Sequence, residues 1–196
     1  KEKKNQKFGT TELTLQNGIK VYLKKTDFKE DQILMSGTTN GGFRLYSKPS
    51  DILNTKIVDD IVTLGGLGKF DAIALGKALT GRTVSVSPAF GNFTSGFSGN
   101  STVADFETML QLTYLYMTDI RADKEAFAAY KEKTTEALKM AERQPFASLS
   151  DSINYLLFDN DIWRKKVKAD DMEKVSYERA LQMARERLSS ADGFQF

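Results

Sequence analysis

The sequence predicts an α+β domain of two layers, in which helices pack on one face of a mostly antiparallel sheet. Two observations carry this prediction. Several short segments alternate between apolar and polar residues around turn residues, which is typical of half-buried strands. In longer segments the apolar residues recur every three or four positions, which is typical of amphipathic helices. Strands and helices are partly segregated along the chain, and this favours the α+β class.

The first predicted element is a β-hairpin over residues 11–25. Apolar and polar residues alternate up to Leu15 and again from Ile19, with Asn17-Gly18 between them. Asn-Gly is the strongest short signal for a type I′ turn, which needs positive φ at both positions. A third strand is predicted over 32–39, after a polar connection.

A buried helix over residues 51–64 is predicted at the centre of the chain. Its apolar residues share one face at the helical period. That face consists of Leu53, Ile57, Ile61 and Leu64, with Val58 and Val62 beside them. Three glycines follow, at positions 65, 66 and 68, and they supply the positive φ angles at which a helix ends cheaply.

A short helix, a hairpin and four longer helices are predicted after the central helix. Asp71 caps the short helix, and Pro145 begins one of the long ones. The hairpin strands are predicted over 82–88 and 93–100, and the other long helices over 102–118, 123–143 and 176–189. The helix over 102–118 is predicted to bury a stripe of Val103, Phe106, Leu110, Tyr114 and Met117, widened by Met109, Leu112 and Tyr116.

We predict a linker or a cloning-derived end over residues 1–10, where the chain begins with a polar, basic run, and a single domain over 11–196. The last residues, 194–196, are typical of the start of a strand. A core strand cut short predicts that the domain is a fragment of a longer chain.

The composition excludes several classes of function. The chain has 196 residues and a net charge of +2, which disfavours a nucleic-acid partner. It has no apolar run of about 18 residues, so we predict no membrane span. The sequence contains no cysteine and no histidine. These absences remove cysteine nucleophiles, Ser-His-Asp catalysis and the usual catalytic zinc sites.

Two long segments of the chain resemble a known family. With the residues around these segments included, the resemblance extends from about residue 11 to residue 196. The segments are TELTLQNGIKVYLKKTDFKEDQILMSGTTNGGFRLYS and GLGKFDAIALGKALTGRTVSVSPAFGNFTSGFSGNSTVADFETMLQLTYLYMT. Their order and spacing resemble a domain of the insulinase-type (pitrilysin-like) zinc peptidases. The resemblance implies the same α+β fold.

The resemblance also implies that this chain lacks the family's catalytic residues. In the family, the helix equivalent to 51–64 carries His-x-x-Glu-His; its two histidines bind zinc, and its glutamate activates the zinc-bound water. A glutamate on a later helix completes that site. This chain has KIVDDIV at the motif, and its later helix has Glu132 and Glu136 but no histidine beside them. We therefore assign no catalytic and no metal-binding residue here, and expect zinc in the catalytic domain of the parent protein.

The functional expectation follows from this degenerate motif. The chain resembles the first domain of the second half of such a peptidase, which helps to enclose the peptide substrate and supports the catalytic half. Its expected partners are that half, in the same protein or in a separate subunit, and a peptide. The strand over 82–88 is a candidate edge for strand addition, but individual substrate-binding residues stay unknown. Resemblance to bacterial relatives favours a periplasmic or cell-envelope location.

An alternative function is a peptidase-derived scaffold or interaction domain of a multi-subunit assembly, without proteolytic activity. An independent hydrolase built on carboxylates has less support. The pairs Asp59-Asp60 and Asp170-Asp171 are adjacent, and adjacent helical side chains point about 100° apart. A calcium loop starting at Asp159 would hold Asn160 and Asp161 and would end at Asp170. It lacks the expected glycine at its sixth position and the glutamate at its twelfth.

Overall fold

The computed structural model describes residues 1–159, 161–189 and 193–196. Within these residues it contains six strands and seven α-helices. The strands are β1 Glu2–Asn5, β2 Thr10–Thr14, β3 Lys20–Lys24, β4 Ile33–Asn40, β5 Val84–Phe90 and β6 Thr94–Ser101. The helices are α1 Pro49–Thr55, α2 Val58–Ile61, α3 Ala72–Ala78, α4 Phe106–Thr118, α5 Lys124–Glu142, α6 Pro145–Leu157 and α7 Tyr177–Leu188. Two 3₁₀ turns cover Phe43–Leu45 and Ala169–Glu173.

The strands form two antiparallel groups of three, ordered β1-β2-β3 and β4-β6-β5. The C-terminal residues join the two groups. Gln195 exchanges backbone hydrogen bonds of 2.8 and 2.9 Å with Thr38 on β4. On its other side, the Lys20 N–H of β3 donates to the Phe194 carbonyl at 3.1 Å. The prediction of strand-like pairing at 194–196 is therefore confirmed, and these residues link the two groups.

The helices cover one face of the sheet, as predicted. Alternate residues of β4, β5 and β6 point to that face, and Phe97 at its centre is 2% exposed. Its ring stacks on Phe194 with centroids 5.6 Å apart. Met109 of α4 and Leu181 of α7 are buried in the same core. The opposite face carries Ser85, Ser87 and Ser98, which are exposed. The two-layer α+β prediction is thus confirmed.

The single central helix that we predicted over 51–64 is wrong, because the structure divides it into α1 and α2. The break follows Thr55, whose hydroxyl donates to the Ile52 carbonyl at 2.7 Å. The Asn54 side-chain amide similarly donates to the Ser50 carbonyl at 3.0 Å. Such side-chain bonds compete for the carbonyls that continue a helix. The Ile57 N–H then reaches only three residues back, to Asn54.

The glycines after α2 act in two different ways. Gly66 and Gly68 have positive φ, as predicted. Gly65 does not have positive φ; instead, a side chain there would collide with the backbone of Arg121. Close approach of two backbone segments therefore explains Gly65.

The first hairpin forms, but its turn is longer than predicted. Leu15 and Ile19 pair through a 2.9 Å hydrogen bond, which leaves a three-residue loop instead of a two-residue type I′ turn. Gly18 has φ of +89°, whereas Asn17 has no positive φ. A three-residue loop needs the left-handed conformation only at its last position.

Residues 1–10, predicted as a linker or a cloning-derived end, contain a strand. β1 pairs with β2 in antiparallel register, with Lys3 opposite Glu12. All four residues of β1 are exposed. Because neither face of β1 is buried, its sequence has none of the alternation by which a strand can be predicted.

Helix α4 buries only part of the predicted stripe. Val103, Leu110 and Tyr114 are 63%, 46% and 65% exposed. The buried residues are Met109, Leu112, Thr113 and Tyr116. Apolar residues surround this helix almost completely, so periodicity could not determine which side packs on the sheet.

The remaining helix predictions agree with the structure. Asp71 and Asp123 accept hydrogen bonds from the third residue beyond them, at 2.7 and 2.9 Å, as N-cap residues do. Ser176 caps α7 in the same way, at 3.3 Å. Pro145 occupies the first turn of α6. In the described part of the chain, no helix combines the length and the apolar character needed to cross a membrane.

Candidate functional site

The position of the degenerate motif lies at the break between α1 and α2. Aligning Asp59 with the motif's glutamate places Lys56 and Asp60 where the family has histidines. In an unbroken helix, residues four apart share one face. Here the turn at 56–57 separates Lys56 from α2, and the three side chains contact three different parts of the protein.

Lys56 points away from α2 toward a distant loop. Its ammonium donates to the Trp163 carbonyl oxygen. Partial burial lowers the pKa of Lys56, and the nearby carboxylate of Asp161 opposes that shift. A fixed ammonium at this position repels a metal cation.

Asp59 lies against the end of β5. Burial raises the pKa of Asp59, while a hydrogen bond from the Phe90 backbone lowers it. The carboxylate therefore lies near the backbone of β5 and beside its acidic neighbour Asp60.

Asp60 faces α5. The Tyr130 hydroxyl donates to the Asp60 carboxylate at 2.8 Å. Burial, together with Asp60, raises the pKa of Tyr130 to about 12. The helical period of the sequence does not distinguish a tyrosine that packs in the core from one that binds a carboxylate, so it does not reveal this bond. Glu132 and Glu136, the acids that we considered on this helix, are exposed.

A metal site is therefore not formed by these residues. Throughout the described ranges, no group of three or more aspartates, glutamates, histidines or cysteines is placed to hold a metal ion.

In the other acidic constellations, Asp161 and Asp171 have structural partners. Asp161 accepts from Arg44 at 3.0 Å and from the Trp163 N–H at 3.0 Å, and these bonds lower the pKa of Asp161. Asn160 of the considered calcium loop lies outside the described residues. Asp171 accepts from the Lys168 N–H at 3.2 Å and from Lys174 at 3.1 Å, so it caps a 3₁₀ turn.

A polar network fixes α1 against α7 beside the motif. Arg179 donates two hydrogen bonds to the Asp51 carboxylate, at 3.1 and 3.0 Å. Arg179 also contacts Glu186 at 3.1 Å, and Glu186 accepts from the Tyr46 hydroxyl at 2.8 Å. The hydrogen bonds from Arg179 lower the pKa of Asp51. The network is half-buried, and it holds α1 against α7.

Strand β5 lies at the edge of its group, as the candidate-edge prediction requires. The Gly91 N–H donates to the Thr94 carbonyl of β6 at 2.8 Å, and Thr102, which follows β6, donates its N–H to the Thr83 carbonyl at 3.1 Å. In an antiparallel ladder the bonding direction alternates along the strand. Val84 and Val86 therefore direct their N–H and C=O groups outward. Pro88 lacks an N–H, and the backbone of Phe90 lies near the Asp59 carboxylate, whose pKa it lowers.

Comparison with known proteins identifies the class of fold. The structure superposes on the periplasmic protease PqqL from Escherichia coli with a TM-score of 0.82 over 100% of this chain, at 18% sequence identity. It matches the ferredoxin protease FusC, solved in complex with Arabidopsis ferredoxin, with a TM-score of 0.77 at 13% identity. A protease from Helicobacter pylori matches 95% of the chain with a TM-score of 0.68 at 12% identity. The fold is that of an insulinase-family peptidase domain.

The sequence itself supports the same relationship. A zinc protease PQQL-like protein of Arabidopsis thaliana is 28% identical over 168 residues, which cover 85% of this chain. The chain is therefore homologous to part of a zinc protease of this kind. No protein-family model matches the sequence. The chain spans 15% of the length of the Arabidopsis relative, 21% of PqqL and of FusC, and 45% of the Helicobacter protein.

Proposed function

We propose that this chain is a non-catalytic domain of a larger, zinc-dependent insulinase-family peptidase. Its role is to help form the chamber that encloses the peptide and to support the half that carries zinc. The observation that carries this proposal is the hydrogen bond between Asp60 and Tyr130. This bond places a carboxylate and a phenol in the motif region. A phenol whose pKa is raised is a poor zinc ligand at neutral pH.

The homology supports a long parent protein. Because the chain corresponds to 15% of its Arabidopsis relative, most of such a protein lies in other domains, where the zinc site would be held. The ferredoxin protease FusC was solved in complex with ferredoxin, which favours a peptide or protein as the partner here as well.

The free edge of β5 is the surface best suited to hold an extended peptide. Val84 and Val86 offer outward N–H and C=O groups, to which a strand can add. Serine side chains dominate the adjacent open face, so an added strand meets few bulky groups. Peptide binding at this edge would draw mainly on backbone hydrogen bonds and would tolerate varied sequences.

The proposed peptide-binding role of the β5 edge is tested by removing one outward-facing backbone N–H donor. Val84→Pro removes that donor and places a ring on the edge, whereas Val84→Thr keeps the donor and the β-branched shape. We expect Val84→Pro to weaken binding of a fluorescent, extended apolar peptide to the purified chain by about tenfold, a change equivalent to one hydrogen bond. Val84→Thr should bind as the parent does. Equal affinity for all three proteins, with unchanged circular dichroism, would reject β5 as the peptide edge.

A scaffold without any proteolytic partner is the second candidate. The lack of histidines in the motif region is as consistent with a scaffold as with a peptidase domain. The sequence of the parent gene distinguishes the two candidates. A His-x-x-Glu-His motif in the same protein or in a co-purifying subunit supports the peptidase, and its absence from both supports the scaffold.

A further inference from the structure

A run of basic residues separates two surface depressions on the side of the domain near α6. We call residues 164–168, with the sequence RKKVK, the basic segment. A depression of about 540 Å³ lies between this segment and α6. A second, of about 370 Å³, lies between the segment and α1. Lys165 and Lys166 line both.

The backbone is anchored on both sides of the basic segment. Before it, Asp161 is bound by Arg44 at 3.0 Å, and the Arg44 guanidinium lies 5.1 Å from the centre of the Trp163 ring. After it, the Ala169 N–H donates to Glu142 at 2.8 Å, and Met172 is fully buried. The basic side chains therefore project from a fixed stretch of chain, which lowers the entropy cost of binding a ligand.

Positive charge in the two depressions exceeds negative charge. Of the described residues, two carboxylates line them, Asp151 and Asp171, and each already contacts a lysine. The cations are Lys56, Arg164, Lys165, Lys166, Lys168 and Lys174. Among the described residues, Lys165 and Lys168 have no carboxylate within ion-pair distance. These two lysines are available to an anionic ligand.

Apolar groups lie between the cations. Tyr155 and Phe158 line the larger depression, and the Arg164 guanidinium stacks 3.8 Å from the centre of the Phe158 ring. Leu53, Ile162 and Val167 line the smaller one. A ligand that fits both must therefore carry apolar groups between negative charges.

We propose that the basic segment is a docking site for an acidic, extended peptide whose carboxylates alternate with apolar side chains. A nucleic acid fits less well, because the whole chain has a net charge of only +2 and so lacks the strong field that a polyanion needs. The inference rests on the proposed function only in taking this peptide to be part of a substrate. The described residues that line the two depressions are not part of β5, and the site would select acidic stretches that the β5 edge does not distinguish.

The test is fluorescence anisotropy with a labelled peptide in which pairs of glutamates alternate with single leucines. We expect the purified chain to bind it, and the affinity to fall as salt is raised. Reversing the charge at both unpaired lysines, in the variant K165E/K168E, should weaken binding by at least about tenfold. The matched variant K25E/K29E makes the same change of net charge in the exposed connection between β3 and β4, and should bind as the parent does.

Three results would overturn the proposal. The first is no binding of the glutamate-leucine peptide at low salt. The second is an equal loss for K165E/K168E and K25E/K29E, which would show a non-specific charge effect. The third is equally tight binding of a single-stranded oligonucleotide that K165E/K168E abolishes, which would assign the segment to nucleic acid. None of these bears on zinc or cleavage, so this inference can fail while the proposed function stands.

Discussion

The hydroxyl of Tyr130 donates a hydrogen bond of 2.8 Å to the carboxylate of Asp60. The bond connects α5 with α2, the two helices that the family resemblance expects to be joined through zinc. Since the pKa of Tyr130 is raised to about 12, the phenol stays protonated and remains a donor through the neutral range. The contact is thus a structural link that needs no metal.

Removing this hydroxyl should destabilise the domain without affecting any metal content. We expect Tyr130→Phe to lower the free energy of unfolding by about 1 kcal/mol, the usual net value of one hydrogen bond. Urea denaturation measures the change. Tyr114→Phe is the control, because Tyr114 is 65% exposed on α4 and should change stability by less than about 0.5 kcal/mol. Equal effects in the two variants would show that the Asp60 contact contributes nothing.

Phe194 should be among the most sensitive core positions. It is fully buried, stacks on Phe97 and belongs to the segment that joins the two strand groups. Phe194→Ala should cost about 3–5 kcal/mol, because it combines lost burial with a cavity. Phe93→Ala, at a side chain 74% exposed, should cost much less. Chemical denaturation of both variants provides the comparison, and similar midpoints would contradict this packing.

Two glycine-to-alanine changes should have opposite signs. A side chain at Gly96 would collide with the Gly37 carbonyl oxygen on β4, so Gly96→Ala must displace a strand. At Gly76, within α3, the corresponding space is open. Gly76→Ala should therefore stabilise the domain by about 0.5–1 kcal/mol, since alanine has the higher helix propensity. Thermal denaturation reports both signs. A neutral Gly96→Ala would mean that β4 and β6 are further apart than described.

Acid should weaken the contact between α1 and α7. Arg179 lowers the pKa of Asp51 below its unfolded value of about 3.9. A carboxyl group with a depressed folded pKa stabilises the fold above the unfolded pKa, and this contribution is lost as the pH falls through the folded pKa. The difference in unfolding free energy between the parent and Asp51→Asn should therefore be present at pH 7 and shrink below about pH 4. A difference that stays constant with pH would exclude ionisation of Asp51 as its source.

Much of the secondary structure was predictable because it depends on local chemistry. Asp71, Asp123 and Ser176 cap their helices through bonds to residues three positions ahead, and such bonds leave a signature in sequence. The β5–β6 hairpin lies close to its predicted bounds for the same reason. The alternation of apolar and polar residues that predicts a strand is a local feature of the sequence.

The errors arose where distant contacts determine the structure. Asn54 both bonds locally and accepts from the Ser176 N–H at 2.8 Å, so the break after α1 depends partly on α7. The buried face of α4 depends on the sheet beneath it. The same holds at the candidate site. The missing histidines were evident from the sequence, whereas the Tyr130–Asp60 bond joins residues 70 positions apart.

We propose that this chain holds no zinc and performs no zinc-dependent hydrolysis by itself. The most direct test is to measure the metal content of the purified chain together with its cleavage of a fluorogenic peptide, with and without a chelator. We expect no stoichiometric zinc and no cleavage that the chelator abolishes. One zinc per chain, with chelator-sensitive cleavage, would contradict this proposal, because it would require a metal site that the Asp60–Tyr130 arrangement does not provide.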